Sequence, residues 1–522
     1  MSKSILALTV SLVDRHKLDI DPYAGITTDI SFRGWPARPA PIRMRQVLVG
    51  PVHVTHYYSG MPPGLSLVAV PYYVLAKTWL WLVVTPEREK SVHDSYVRAV
   101  INPRRMPVEI VEEARRTERG EKHLTVILLN LFICIFGCSV MAGAMAAMFH
   151  RALTLLYPDL EERRRLVTTW LFSFGTLWFI YSPAIYHRVF STFLCFSAFT
   201  LALPHSSFNV QHSAFSLQRS ALILRALLFG ALLGLAIATS YDMAIVAAAL
   251  LIYAGWQWGK LWPWRWTAVG LLFFLILVAA YHTACFGAPW ITPYATRVEG
   301  SVAPPLFRSS LFALRPLPSA FRRLFEFLFG SRYGFFFYSP LLLLAFPAVS
   351  LLLRARGNSS FIIHHSSLPQ VAALAYAIFA SLMAFHFVSG YDGLPGEFGF
   401  RMMKPAIPFL MLLAPLSYRW SYRYVVPVLA GLSAVILAKG VMFGIHAGRP
   451  FWSNYLELIS RYGFANYTLA NIKDHVMPDL SPWVISAIHL GALALVGLFL
   501  WRFVWRATAD ERQPQTNADD PY

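Results

Sequence analysis

The sequence predicts an all-α fold, a polytopic bundle of about 11 to 12 transmembrane helices with external loops and interfacial helices. Three observations predict it. Of 522 residues, 56% are hydrophobic and only 14% are charged, against about 25% charged in an average soluble domain. Apolar runs of the length that crosses a hydrocarbon core, roughly 20 residues, recur from Leu124 to Val504. Lys and Arg collect in short clusters between those runs, which accounts for the net charge of +18 by membrane topology and excludes a nucleic-acid-binding surface.

The chain opens on Met1 to Leu12, too short to span and without the cleavage site of a signal peptide. Residues 13–62 are polar and Pro-rich. The apolar stretch from Pro63 to Val84 is interrupted by Pro71 and Lys77, which predicts a re-entrant or interfacial segment within an external region 1–123. An external start with no preceding helix suggests that a leading transmembrane helix is missing from the gene model.

Spans are expected at about 124–148, 166–184, 189–204, 221–240, 242–257, 266–284, 338–353, 369–388, 403–417, 424–445 and 482–504, a bundle running from 124 to 504. Arg163, Arg164 and Arg165, Lys260 and Arg265, Arg354 and Arg356, Arg419 and Arg423, and Arg502 with Arg506 mark the cytoplasmic side. Alternation from these anchors puts the loops at 286–337, 389–402 and 446–480 outside and the polar tail 505–522 inside. No repeat of fixed period is visible. Cys134, Cys138, Cys195 and Cys285 sit in or beside apolar runs and read as small core residues, because no His or acid accompanies the Cys134/Cys138 pair as a metal partner.

Candidate chemistry gathers on the external side. Asp14, Asp19, Asp21 and Asp29 precede the first apolar element, where a carboxylate can serve as general base, although each also suits a cap or turn. The loop 287–337 carries Arg297, Arg308, Arg315, Arg322, Arg323 and Arg332 against Glu299 and Glu326. Such a charge excess fits an anionic ligand, or arginines that snorkel to lipid phosphates. Within it, LPSAFRRLFEFLFGSRYG reads as a helix lying in the membrane interface. A third stretch, SGYDGLPGEFGFRMMKPAIPFL, places Asp392, Glu397, Arg401 and Lys404 after a Gly-rich turn, either as an anion grip or, for Glu397 and Arg401, as a structural ion pair. Tyr241, Asp242 and His187 interrupt apolar runs at the same face, where an ionisable group is a functional candidate or a solvated helix end.

Together these stretches resemble the multi-spanning bacterial glycosyltransferases of the GT-C superfamily, more distantly the protein O-mannosyltransferases and lipid A aminoarabinose transferases. The likeness is to members whose first external loop reads approximately IDxYxxxTxDxAxxxGHYYSxKxPGxSLLAxPxY. LDIDPYAGITTDIS and HYYSGMPPGLSLVAVPYY match its two halves, the second contributing His56, Tyr57 and Tyr58. The resemblance continues through IYHRVFSTFLCFSAF, LLGLAIATSYDMAI, YHTACFGAPW, YGFFFYSPLLLLAFPAVS and GEFGFRMMKPAIPFL.

The resemblance implies a polyprenyl-phosphate-linked sugar as donor, an unidentified acceptor hydroxyl, and a bilayer-embedded enzyme of the plasma membrane with an external active face. Asp29 falls at the acidic position expected of the base, with Asp21 and Asp19 in the preceding motif, and Arg401 at the position expected to grip phosphate. No cofactor is required, though some relatives bind a divalent cation. Two departures stand out. An insertion between Ser31 and His56 carries Arg33, Arg38, Arg43 and Arg45, and Met61 occupies the expected lysine position. A flippase or transporter of lipid-linked saccharides and an inactive truncated paralogue are the competing readings.

Overall fold

The computed structural model describes residues 2–21, 30–32, 56–88, 90, 123–182, 184–203, 215–259, 262–294, 317–331, 334–347, 349, 368–388, 399–418, 423–443, 459, 481, 483–491, 494, 495 and 498. Over these it is helical apart from one two-stranded ribbon. Five of the helices are long and apolar enough to cross a membrane, over Gly64–Val83, Leu124–Leu156, Ser220–Thr239, Trp264–Phe286 and Leu368–Phe387. Large apolar side chains such as Trp81, Ile252, Ile276 and Val428 point outward, a surface that suits lipid and not water.

The first helix, α1 (Ser2–Asp14), is buried: Ile5, Leu6, Ala7, Leu8 and Val10 are all fully covered. Strands β1 (Ile30–Phe32) and β2 (Tyr57–Ser59) pair antiparallel, with Ser31 opposite Tyr58. The ribbon closes the chain around the Arg-rich insertion, which lies outside the described residues. Helix α2 (Gly64–Val83) runs unbroken for 20 residues through Pro71 and Lys77, so the segment expected to be re-entrant or interfacial is a continuous helix of spanning length.

A row of polar contacts joins α1 to α2. Ser4 Oγ lies 2.8 Å from Ser59 Oγ, Thr9 Oγ1 donates to Ser66 O at 3.1 Å, and Tyr73 OH donates to Asp14 at 2.7 Å. Lys77 Nζ completes it 3.1 Å from Asp14. Partners ascend together along both helices, so the two run parallel. In an apolar surrounding each such group would otherwise stay unsatisfied at a cost of several kcal/mol, roughly. At the start of α2, Gly64 is required by a different neighbour, because a Cβ there would meet the Ala238 carbonyl carbon, in the helix Phe215–Thr239, at 2.6 Å.

Helices α3 (His123–Ile133) and α4 (Ser139–Leu156) are joined by a π-helical turn at Cys134–Cys138 into one long rod. The span expected at 166–184 is broken. Helix α5 (Glu162–Gly175) ends where Thr176 turns extended, and the Thr176 hydroxyl caps the short α6 (Leu177–Tyr181) by accepting from Trp178 N at 3.2 Å. Helix α7 (His187–Ala202) follows, and Arg225 donates to Leu201 O and Leu203 O at its end, satisfying carbonyls that the helix itself cannot.

Helices α8 (Phe215–Thr239), α9 (Met243–Trp258) and α10 (Trp264–Phe286) lie close to their expected spans. The α8–α10 crossing is backbone-tight: a Cβ on Gly230 would sit 2.0 Å from Thr267 O, and one on Gly270 2.3 Å from Leu227 O. Lipid chains are as apolar as Leu, so burial alone does not hold such helices together. Small residues let backbones approach and gain dispersion contacts.

Next come the amphipathic α11 (Leu317–Phe329), the short α12 (Phe335–Tyr338) with a 3-10 turn at Pro340–Ala345, and α13 (Leu368–Val388). The run expected as a span at 403–417 is instead 3-10 turn Arg401–Met403, helix α14 (Ala406–Met411) and 3-10 turn Ala414–Ser417. Pro405, Pro408 and Pro415 account for the interruption, since each lacks the N–H that a continuous helix needs. Helix α15 (Val425–Phe443) follows, and residues 483–491, within the span expected at 482–504, are helical.

Two apolar clusters hold the chain. The larger is built from α4 through α15, and the smaller from α1, Tyr58, α2, α3, Ile185 and the end of α10. Phe190 packs against both, so the short segment that starts α7 is where they meet.

Candidate functional site

The start of α7 is also where the charged side chains converge. His187 and Arg188 open the helix and are 3% and 9% exposed. The Arg188 guanidinium pairs with the carboxylate of Asp242, which sits in the tight turn between α8 and α9. Ser240 of the same turn donates its hydroxyl to the other Asp242 oxygen at 2.5 Å, and His386 Nε2 from the end of α13 lies 3.9 Å from the first. Burial alone would raise the Asp242 carboxyl. The Arg188 guanidinium, His386 and the Ser240 hydroxyl outweigh it and leave the group below its ordinary value of 3.8.

Arg401 and Lys404 approach from the opposite side. The Arg401 guanidinium lies 5.6 Å from the Tyr186 ring, and the Lys404 ammonium 3.7 Å from that ring and 3.0 Å from Tyr181. Both cations are buried, and aromatic faces partly replace the water they give up. Phe400, just before Arg401, stacks on Phe327 of α11 at 4.8 Å and meets His386 edge-on at 5.8 Å. Helix α11 thus anchors through Phe327 beside the Arg401 turn, while Phe321, Phe325 and Phe329 face outward at a spacing of four, the arrangement of a helix at a membrane surface.

A third group adjoins these. Tyr241 OH lies 2.7 Å from His282 Nε2, and His282 Nδ1 lies 2.9 Å from Pro289 O. A carbonyl can only accept, so Nδ1 carries the proton and neutral His282 takes the Tyr241 hydroxyl at Nε2. Tyr294 packs edge-on against Tyr241 at 5.8 Å, and Ser31 of the ribbon donates to Pro293 O at 2.7 Å. The ribbon that begins one residue after Asp29 is therefore tied to the turn that carries Tyr294. Tyr58 joins it through an edge-on contact with Phe286 at 5.7 Å.

Of the residues singled out from sequence, Arg401, Lys404, His187 and Asp242 come together around Tyr186 and Arg188, with Tyr241 adjoining through Tyr294. Asp19, Asp21 and His56 gather with one another, and the His56 ring lies 6.5 Å from that of Tyr58. Their ligand atoms lie within 4.8 Å of one another, but Arg15 already contacts Asp19 at 2.7 Å and His56 Nδ1 contacts Asp21 at 2.7 Å. Tyr57 is placed by its backbone in β2. Asp29, Glu397, Arg297 and Arg332 lie outside the described residues.

Arg188, His386 and His282 were missed by the sequence reading. Arg188 follows His187 in an apolar run, the same signal that singled out its neighbour, and His282 and His386 lie within the spans expected at 266–284 and 369–388, where the same signal was there to be read. Among the described residues of this cluster, three basic side chains, Arg188, Arg401 and Lys404, gather with one carboxylate, Asp242, and net positive charge buried at a helix start favours an anion. The chain matches no family model, no curated protein and no solved structure.

Proposed function

We propose that the chain is a membrane glycosyltransferase that moves a sugar from a polyprenyl-phosphate donor to an acceptor hydroxyl at the outer face of the membrane. The observation that carries the reading is the meeting of Arg188, Arg401 and Lys404 around Tyr186, a buried cationic cluster beside the turn to which Ser31 ties the ribbon.

In this reaction the acceptor oxygen attacks the anomeric carbon, the bond from that carbon to the phosphate oxygen breaks, and Asp29 takes the acceptor proton. The lipid phosphate leaves carrying the negative charge that the guanidinium groups are placed to stabilise, as preorganised charge does for any departing anion. Arg holds such a group through two parallel hydrogen bonds, and Lys adds a point charge.

The reading is tested with purified protein in liposomes supplied with labelled polyprenyl-phosphate sugar and a range of hydroxyl acceptors. Label moves to an acceptor, Asp29→Asn abolishes the transfer while the protein remains folded, and Arg401→Ala weakens dependence on donor far more than on acceptor. Translocation of the donor across the bilayer without transfer marks the chain as a flippase instead.

A further inference from the structure

The first turn of α7 is buried and uncapped. Tyr186 occupies the N-cap position in an extended conformation (φ −134°, ψ 112°), and no side chain among the described residues closes the turn. A helix start leaves N–H groups that its own backbone cannot satisfy, and a buried start needs another source of acceptors. Val189 and Phe190 turn their N–H groups back to Tyr186 O, at 3.0 and 3.2 Å.

The side chains at this turn repeat the pattern. Among the described residues, Nδ1 of His187 and Nε of Arg188 take no hydrogen bond, although both atoms are buried. Among the described residues no oxygen reaches either atom, and an anion with several acceptor oxygens suits the Arg188 Nε–H together with the Nδ1–H tautomer of His187. Arg401 and Lys404 face the same end across the Tyr186 ring, adding charge of the sign that the helix start already bears.

We infer that the first turn of α7 is the seat of a phosphate group, with His187 and Arg188 as its direct contacts, and that Asp242 is a positioning residue holding Arg188 in reach. The inference rests on the lipid-phosphate reading of the site and names where the phosphate sits. Asp242 takes one Nη of Arg188 and is itself held by Ser240, which leaves the Nε edge for the ligand. Phosphate oxygens are the same acceptors on an isoprenoid lipid or free in solution, and no covalent step is involved.

The test measures binding of farnesyl phosphate, farnesol and inorganic phosphate to the full chain in detergent by calorimetry. The wild type is expected to bind farnesyl phosphate at least about tenfold more tightly than farnesol, since a charge-assisted hydrogen bond is worth roughly that much. Arg188→Gln and His187→Ala each remove most of this preference and leave farnesol binding unchanged. Arg188→Lys, which keeps the charge that Asp242 faces and supplies the reading should Arg188→Gln fail to fold, retains only part of it.

Asp242→Asn separates positioning from charge. Loss of a negative neighbour tightens anion binding on electrostatic grounds alone, whereas loss of positioning weakens it, and several-fold weakening is expected. Displacement of farnesyl phosphate by inorganic phosphate assigns the seat to the bare anion, and its failure with farnesyl phosphate still bound assigns the seat to a lipid-borne one. If Arg188→Gln, Arg188→Lys and His187→Ala all keep the wild-type preference within about twofold, the seat is wrong and the lipid-phosphate reading stands. If the wild type shows no preference for farnesyl phosphate over farnesol, both fall.

Discussion

The guanidinium of Arg188 rests on the carboxylate of Asp242, 54 residues further along the chain, and both side chains are nearly sealed from solvent. The pair joins the start of α7 to the turn between α8 and α9 where the two apolar clusters of the molecule meet. Ser240 and His386 complete the shell of Asp242, so the carboxylate is held on both oxygens.

Removing one partner leaves a buried charge without compensation. Asp242→Asn is expected to destabilise the protein by about 3–5 kcal/mol, whereas the double substitution Arg188→Met with Asp242→Leu recovers most of the loss, because a well-packed apolar pair often matches a buried ion pair. Thermal unfolding of detergent-purified variants measures both. A single variant as stable as wild type would show that the ion pair is not shielded from water.

The same pair sets a pH dependence. The Asp242 carboxyl titrates below its ordinary value of 3.8 in the folded protein, so its contribution is fully present above that value and is lost as pH falls through the lower folded value. The stability difference between wild type and Asp242→Asn is therefore expected to stay constant from neutral pH down to about 5 and to shrink in more acidic buffer. A difference that already declines between pH 7 and 6 would assign the titration to another group.

The α8–α10 crossing has no room for a side chain. Gly270→Leu is expected to cost about 3 kcal/mol or more, since a Cβ there meets the backbone oxygen of Leu227 at 2.3 Å and backbone cannot rotate away. Gly143→Ala on α4 is the control, because nothing lies within 4 Å of its added Cβ, and Ala favours a helix over Gly by up to about 1 kcal/mol. Monodispersity and unfolding midpoint read both. Equal behaviour of the two variants would mean that the crossing is looser than its backbone distances.

Sidedness is tested by cysteine labelling. With Cys134, Cys138, Cys195 and Cys285 replaced, a cysteine at Ser301 is expected to react with a membrane-impermeant maleimide added to intact cells. Reaction only after permeabilisation would invert the topology and move the charged cluster to the cytoplasmic face.

Much of the site was legible in the sequence because an ionisable residue in an apolar run is conspicuous. His187 and Asp242 stood out for that reason, and Arg401 and Lys404 as cations following a Gly-rich turn at a membrane entry. Arg188 stood beside His187 and carried the same signal. That Asp19, Asp21 and His56 gather with one another was not legible, since nothing local says which of several acids in a polar stretch folds toward a given histidine.

Composition and periodicity determined by themselves that this is a helical membrane protein, because the lack of polar surface and the length of the apolar runs leave the backbone no other way to satisfy its hydrogen bonds in lipid. Only the tertiary structure decided that α1 is buried along α2, that the runs around 176 and 405 break, and that Arg188 meets Asp242. Each of these depends on contacts between residues far apart in the chain, and local spacing carries no record of which distant partner will fill a buried polar group's remaining valences.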